Sequence, residues 1–527
     1  MNPRVAIVAF ALALSCARAG AAPREALTLT VDPRTPRHRI SPLIFGVGHS
    51  ERSDPDGAEP WELGATAVRW GGNSSSRYNW ELGNAWNTGS DWFFRNVDYG
   101  DKPGPAYARF IDENRAHDLL SALTMPMIGW VAKDTTSASF PVARFGRQLA
   151  SDPDLPAVGN GIGRDGRALA PDPPQRTSVP APPEMMARWA ARLKSDQREP
   201  ALYFLDNEPT LWHETHRDVH PQPVGYDELF DRTVRYGEAI RRAAPAAVIA
   251  GPALWGFPAL FDSAVGRRDR DAHGGLPLLA WYLRKLKAHE RETGARILDV
   301  VDVHFYPQGK GIGLGLDGDT DPDTAARRIR SARALWDPAY RDESWIAEPV
   351  RLLPRLREWI DAEYPGRGIC IGEWNFGAER HVSSGLATAD ALGRFAEAGI
   401  TAAFYWTAPP RGSPPFWAFR AFRNYDGHGS AFGDLFLASV SAQGASAFAS
   451  IDESKARLVI VAVNPNPFAM SATFQVAGDA APRDVRAFTY RGGDGFALDR
   501  LPASRRISAQ LAPASISTIE IRLSPGR

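Results

Sequence analysis

Cysteine is scarce, with two residues in 527. One of them, Cys16, falls in a segment expected to be removed, so Cys370 stands alone and the mature chain has no internal disulfide. Net charge is missing as well. Lys plus Arg and Asp plus Glu both count 61, which leaves no basic excess to neutralise a phosphate backbone and excludes general nucleic-acid binding. No stretch beyond the N-terminal segment reaches about 18 uninterrupted apolar residues, which excludes a membrane anchor. No G-x-S-x-G elbow occurs, which disfavours a serine esterase, and the chain carries no internal repeat.

What is present is a folded, two-domain composition: 44% apolar and 23% charged residues over a length too great for one ordinary core. Sixteen Trp supply core volume and also flat rings of the kind that stack on sugar faces. Residues 1–21 read as an export signal. Arg4 precedes an apolar run over 5–14, and Ala19-Gly20-Ala21 forms a small-residue cleavage site. Ala13 and Leu14 before Ser15-Cys16 fit a lipoprotein signal poorly. The protein is therefore expected in the periplasm or the medium.

Apolar strand-like runs alternate with amphipathic helical stretches. The strands are read at 44–48, 67–70, 123–130, 201–205, 247–250, 300–305, 368–371 and 402–406, with helices at 185–193, 226–244, 278–287 and 350–363 among them. Eight strand–helix units predict a parallel (β/α)8 barrel over 39–430, an α/β fold whose reactive side chains lie past the strands' C-terminal ends. After Phe422 the texture changes to short alternating runs at 457–463, 472–476, 485–490 and 516–523, separated by turn-rich pieces. This predicts a β-sandwich over 431–527. Residues 22–38, with the same alternation at 27–31, are read as a strand lent to that sandwich. The Gly/Pro/Asp-rich stretches at 151–175 and 309–324 are read as long βα loops.

Strand four runs into Asp206-Asn207-Glu208-Pro209 and strand seven into Glu373-Trp374-Asn375. Two carboxylates across a barrel mouth are what retaining glycoside hydrolysis requires: one protonates the leaving oxygen while the other attacks the anomeric carbon. Asn207 is placed to bind the sugar 2-hydroxyl. Alternation points His304 and Tyr306 to one side of strand six, and Trp406 at the end of strand eight offers a floor for a pyranose ring. Arg69 and Tyr306 are candidates for holding Glu373 ionised. Trp70, Trp92, Trp130, Trp212, Trp255, Trp374 and Trp406 all lie at or near strand ends, some to face sugar and others to pack under the loops. Asn73 and Asp91 are candidates for orienting the sugar through hydrogen bonds.

These residues carry a resemblance. Arg69-Trp70-Gly71-Gly72-Asn73, Arg77-Tyr78-Asn79-Trp80-Glu81 and Gly89-Ser90-Asp91-Trp92 resemble glycoside hydrolase family 44. So does the run from Leu205 through Asp206-Asn207-Glu208-Pro209 to Trp212. The motifs Gly251-Pro252-Ala253-Leu254-Trp255-Gly256, Asp302 to Pro307, Gly372-Glu373-Trp374-Asn375 and Asn424-Tyr425-Asp426-Gly427 continue it in order over nearly the whole mature chain. The resemblance implies a barrel with a β-sandwich and retention of configuration. It implies endo-acting hydrolysis of β-1,4-glucan, often xyloglucan or carboxymethylcellulose, with Glu208 as acid/base and Glu373 as nucleophile. It requires no cofactor, admits a structural calcium because some relatives bind one, and leads to a monomer acting on polysaccharide. Ser74-Ser75-Ser76 departs from the bulkier residues expected there, which bears on the preferred glycan. A xylanase or mannanase on the same scaffold, or a silent glycan-binding protein, are the alternatives, and both intact glutamates weigh against the last.

Rival motifs are weaker. His213, His216 and His220 are close in sequence, but their spacing matches no zinc motif, and no metal site is expected. Asp317, Asp319, Asp321 and Asp323 resemble the start of a calcium loop whose twelfth position holds Arg328 instead of a bidentate Glu. Gly161 to Gly166 and Gly313 to Gly318 match a dinucleotide fingerprint, yet neither sits between a strand and a helix.

Overall fold

The computed structural model describes residues 27–49, 57–98, 103–314 and 317–524; the export segment and Cys16 lie outside them. Eight parallel strands close a barrel in chain order: β1 (Gly46–Gly48), β2 (Ala67–Trp70), β3 (Leu120–Met125), β4 (Leu202–Leu205), β5 (Ile249–Leu254), β6 (Val300–Phe305), β7 (Gly368–Trp374) and β8 (Ala402–Tyr405). Both faces of each strand are covered, which is why they read as continuous apolar runs. Small residues (Ala67, Ala122, Ala250, Ala402) leave room inside for Phe204 and Phe404.

Boundaries differ from the sequence reading where backbone chemistry intervenes. The third strand ends at Met125, before Pro126, and Trp130–Ala132 instead pairs antiparallel with Ser178–Pro180 in a separate two-stranded sheet. Residues before Gly46 form a 3-10 turn, Pro42–Phe45, with Ser41 as its cap. Strand β7 runs on to Trp374. Between β6 and β7 the pairing slips: Asp302 faces Cys370 and Val303 faces Ile371, but His304 faces Glu373. Gly372 is the extra residue, a bulge that re-aims the side chain that follows.

The helices follow the periodicity. Tyr226–Ala243 buries Tyr226, Leu229, Thr233, Tyr236 and Ile240 on one face. Helix Pro322–Ser331 starts on Asp321, whose carboxylate accepts from Thr324 N at 3.0 Å, so one member of the acidic run is a helix cap. Arg328, fully buried, donates to the carbonyls of Phe376, Asp319 and Gly311 and to Ser383 Oγ, and so pins the loop after β6 against the barrel.

The C-terminal part pairs a seven-stranded sheet with a three-stranded one. Leu27–Val31 joins the smaller sheet parallel to Met470–Val476, and the two-residue strand His38–Arg39 adds to the larger sheet beside Leu435–Ala442. Strand Arg457–Asn464 is buried on both faces. Leu458, Ile460 and Ala462 point into the sandwich, while Val459, Val461 and Val463 join the barrel's core. No helix among the described residues is long and apolar enough to cross a membrane.

Candidate active site

The barrel mouth is organised by a buried guanidinium. Arg69, on β2 and wholly excluded from solvent, donates from Nη1 to Glu373 Oε1 at 2.7 Å and from Nη2 to Asn207 Oδ1 at 3.0 Å. Asn207 Nδ2 passes the chain on to Asn73 Oδ1 at 3.2 Å, and Asn73 Nδ2 donates to both Asp91 oxygens at 3.1 and 3.2 Å. Four of the residues named from sequence thus form one ladder running out from Glu373. Tyr306 Oη donates to Glu373 Oε2 at 2.8 Å, and His304 Nδ1 lies 2.8 Å from Glu208 Oε1 and 3.6 Å from Glu373 Oε2.

Glu208 is reached by a strained path. Asp206 and Glu208 both have positive φ, +64° and +44°, in the left-handed region that non-glycine residues avoid. The wholly buried Asp206 holds the turn in place, accepting from Ser76 Oγ (2.5 Å), Met127 N (2.5 Å), Ile128 N (3.0 Å) and Asn207 N (2.8 Å). Ser76, read from sequence only as a departure in the serine run, is therefore a support of the turn that carries Glu208. Asp206 and Ser76 were not named as site residues. The signal available was the Asp next to Asn-Glu at a strand end, where an extra carboxylate needs donors.

Electrostatics separate the two glutamates. Burial pushes the Glu208 carboxyl above its ordinary range, and the hydrogen bond from His304 only partly opposes this. Burial pushes Glu373 the same way, but His304, Arg69 and the hydrogen bonds from Arg69 and Tyr306 outweigh it and hold the carboxyl below its ordinary value. One group is poised to carry a proton and the other to be ionised.

The aromatic expectations divide. Trp406 is half-buried, its ring against β1 and β2: a Cβ at Gly48 would come within 2.7 Å of it and one at Gly72, itself at φ +81°, within 2.6 Å. Trp92, half-buried, follows Asp91 on the same loop. Trp374 corrects the sequence reading. It is fully buried and packs among Phe395, Tyr405 and Phe419 in the helix layer, so it does not face sugar. The reason is strand alternation: with Glu373 aimed into the mouth, its neighbour points outward. Trp70 and Trp212 are buried core residues as well. A Trp that sequence reading passed over, Trp345, is 63% exposed. It lies between Asp342 and Ile346, which line a small pocket together with His304 and Tyr306.

The histidine trio does not converge. His220 Nε2 pairs with Glu228 Oε1 at 2.8 Å, while burial, aided by Arg77, pushes His216 down to about 3. Among the described residues, Glu208, His304 and Glu373 are the one set of three ligand-type side chains with ligand atoms within 4.8 Å of one another. Arg69 already brings a fixed positive charge against Glu373 in that space.

A closed parallel barrel carrying two facing glutamates at its C-terminal mouth, one carboxyl pushed up by burial and the other held down by His304 and Arg69, is the architecture of a glycoside hydrolase. Residues 85–309 match the model of glycoside hydrolase family 44. Endoglucanase A of Paenibacillus lautus is 32% identical over 493 residues, which cover 86% of this chain; the chain spans 66% of that relative's length. A bifunctional glucanase-xylanase from a metagenome library shares the structure with a TM-score of 0.87 at 32% identity, over 95% of this chain and 99% of that one. A Paenibacillus polymyxa xyloglucanase solved with xyloglucan gives 0.77 at 27% identity, over 94% and 100%. The chain belongs to glycoside hydrolase family 44.

Proposed function

We propose that the protein is a secreted retaining endo-β-1,4-glucanase in which Glu373 is the nucleophile and Glu208 the acid/base. The observation that carries this reading is the opposed environment of two carboxyls whose nearest oxygens lie within 4.8 Å. Oxygens that close favour a retaining pair, about 5–5.5 Å apart, over an inverting pair at about 6.5–9.5 Å. Glu373, ionised and aimed by Arg69 and Tyr306, attacks the anomeric carbon. Glu208 protonates the departing glycosidic oxygen, then takes a proton from water as that water cleaves the glycosyl-enzyme. Asn207 and Asn73 orient the sugar from the ladder, and Trp406 supports a ring face.

Glucan is favoured by the endoglucanase and xyloglucanase relatives, and xylan is the second reading because the metagenomic relative is described as a glucanase-xylanase. Export is supported by the apolar segment after Arg4 and by the size of a polysaccharide substrate. The test is reducing-sugar release from xyloglucan, carboxymethylcellulose and xylan. Glu208→Gln and Glu373→Gln are each expected to lose on the order of a thousandfold or more of the wild-type rate. Activity surviving in both variants would mean that the chemistry lies elsewhere.

A further inference from the structure

Directly beneath the catalytic pair sits a third carboxyl with no role in the scheme above. Asp302, two residues before His304 on β6, is fully buried, and its oxygens meet no nitrogen or hydroxyl donor; its hydrogen-bonding neighbour is the weak thiol donor of Cys370. Two neighbouring groups have no partner at all, His304 Nε2 and Arg69 Nε. Residues i and i+2 of a strand project to one face about 6–7 Å apart, so Asp302 and His304 both enter the barrel, with Asp302 the deeper. The space for it comes from the nucleophile's own strand: a Cβ on Gly372, the bulge residue preceding Glu373, would lie 2.5 and 2.8 Å from the Asp302 oxygens. A buried carboxylate whose hydrogen-bonding neighbour is only a thiol is costly, and a glycine kept open for one asks for a reason.

Charge balance supplies that reason. The groups facing His304 are Arg69 from β2, Glu208 beyond β4, Glu373 from β7, and Asp302 and Tyr306 from its own strand; Cys370 of β7 faces Asp302. With Glu208 carrying its proton and Glu373 ionised against Arg69, an imidazolium at His304 would leave one uncompensated positive charge in a closed interior. We infer that Asp302 is a positioning residue, the counter-charge that lets His304 stand as an imidazolium between the two glutamates. His304 Nδ1–H then donates to Glu208, leaving the acid's own proton free for the glycosidic oxygen. The cation also holds Glu373 ionised and receives the Glu208 carboxylate formed once its proton has left. Burial pushes the Asp302 carboxyl up, and the attraction of His304 and then of Arg69 opposes it in part.

This inference rests on the assignment of the catalytic pair, so its first test avoids turnover. Neutron diffraction from deuterated wild-type crystals at pH 6 is expected to show deuterons on both His304 nitrogens and none on Asp302. A bare ring nitrogen or a deuterated Asp302 would overturn the proposal, whatever Glu208→Gln and Glu373→Gln do to activity. The second test is the pH profile of kcat/KM. In Asp302→Asn both limbs are expected to move to higher pH, by about one unit or more, because both carboxyls lose a nearby cation. His304→Gln should move them similarly, and Asp302→Asn should add nothing in that background. A loss of rate with unmoved limbs, or a full second displacement in the double variant, would reduce Asp302 to a packing residue.

Discussion

The barrel mouth and the large sheet of the sandwich are buried to the same degree and built from opposite materials. In strand Arg457–Asn464, Leu458 through Val463 are apolar on both faces and at most 2% exposed. In the mouth, Arg69, Asp206, Asn207, Asp302, His304 and Glu373 are all at most 5% exposed, yet every one is polar and most can carry charge. Burying the first set stabilises the fold through area removed from water. Burying the second costs stability and is tolerated because a charge meets an opposite one, as Glu373 meets Arg69, or accepts several hydrogen bonds, as Asp206 does. The strained turn at Asp206 and Glu208 belongs to the same bargain, and its outside supports come from the two segments that follow β2 and β3. The two regions meet in the helix layer, where Val459, Val461 and Val463 pack on the barrel, so the apolar region braces the polar one.

The comparison breaks most severely at Arg69. Arg69→Met keeps much of the side-chain length and removes the charge, leaving Glu373 buried without its guanidinium. The kcat/KM is expected to fall by about a hundredfold or more. The sign of the pH effect follows from the proposed role: Arg69 holds the Glu373 carboxyl down, a nucleophile must be ionised, and loss of Arg69 moves the acid limb to higher pH. Arg69→Lys should restore part of that displacement and less of the rate, because one ammonium cannot serve Glu373 and Asn207 in the forked geometry. Profiles with unmoved acid limbs would show that Arg69 is structural.

The opposite outcome is expected in the sandwich. Phe474, fully buried between the sheets, should cost about 3–5 kcal/mol when truncated to Ala. Chemical denaturation measures the loss. Because Phe474 touches no part of the mouth, kcat/KM of the folded enzyme should stay within about twofold at 25 °C. A comparable loss of rate would mean that the sandwich controls the mouth as well as bracing it.

The two regions also differ in how far sequence exposes them. Barrel strands with both faces covered leave apolar runs, and a Glu after each of two such runs marks the mouth, so Glu208, Glu373, Arg69, Asn207, Asn73 and Asp91 are each legible in the sequence as candidates. Their mutual contacts are not, because they join residues up to 304 positions apart. Trp374 was misread although period-two alternation from Glu373 already points it outward. Asp206 was legible only as a neighbour of Glu208: its function depends on Ser76 and on the backbone of Met127 and Ile128, contacts that no local pattern encodes. Leu27–Val31 was read correctly as a sandwich strand because alternation is local, whereas two-residue His38–Arg39 is too short to carry any pattern.

Trp345 sharpens the comparison at its smallest scale, since it is a large aromatic side chain, next in sequence to a residue lining the pocket beside His304 and Tyr306, that the fold leaves in water. Its segment is shaped by Asp342, which accepts from Ser344 N at 3.0 Å, and by Ser344 Oγ, which accepts from Ile346 N at 3.2 Å. That turn presents the indole without burying it. A ring 63% exposed contributes little to folding, so Trp345→Ala should leave the denaturation midpoint nearly unchanged. Stacking on a sugar face would contribute about 0.5–1.5 kcal/mol, so KM for a long glucan should rise roughly three- to tenfold while kcat holds. On a short chromogenic substrate that does not reach the loop, the variant should match wild type. An unchanged KM on the polymer would assign the exposed Trp to another surface and confine sugar stacking to Trp406 and Trp92, inside the polar region.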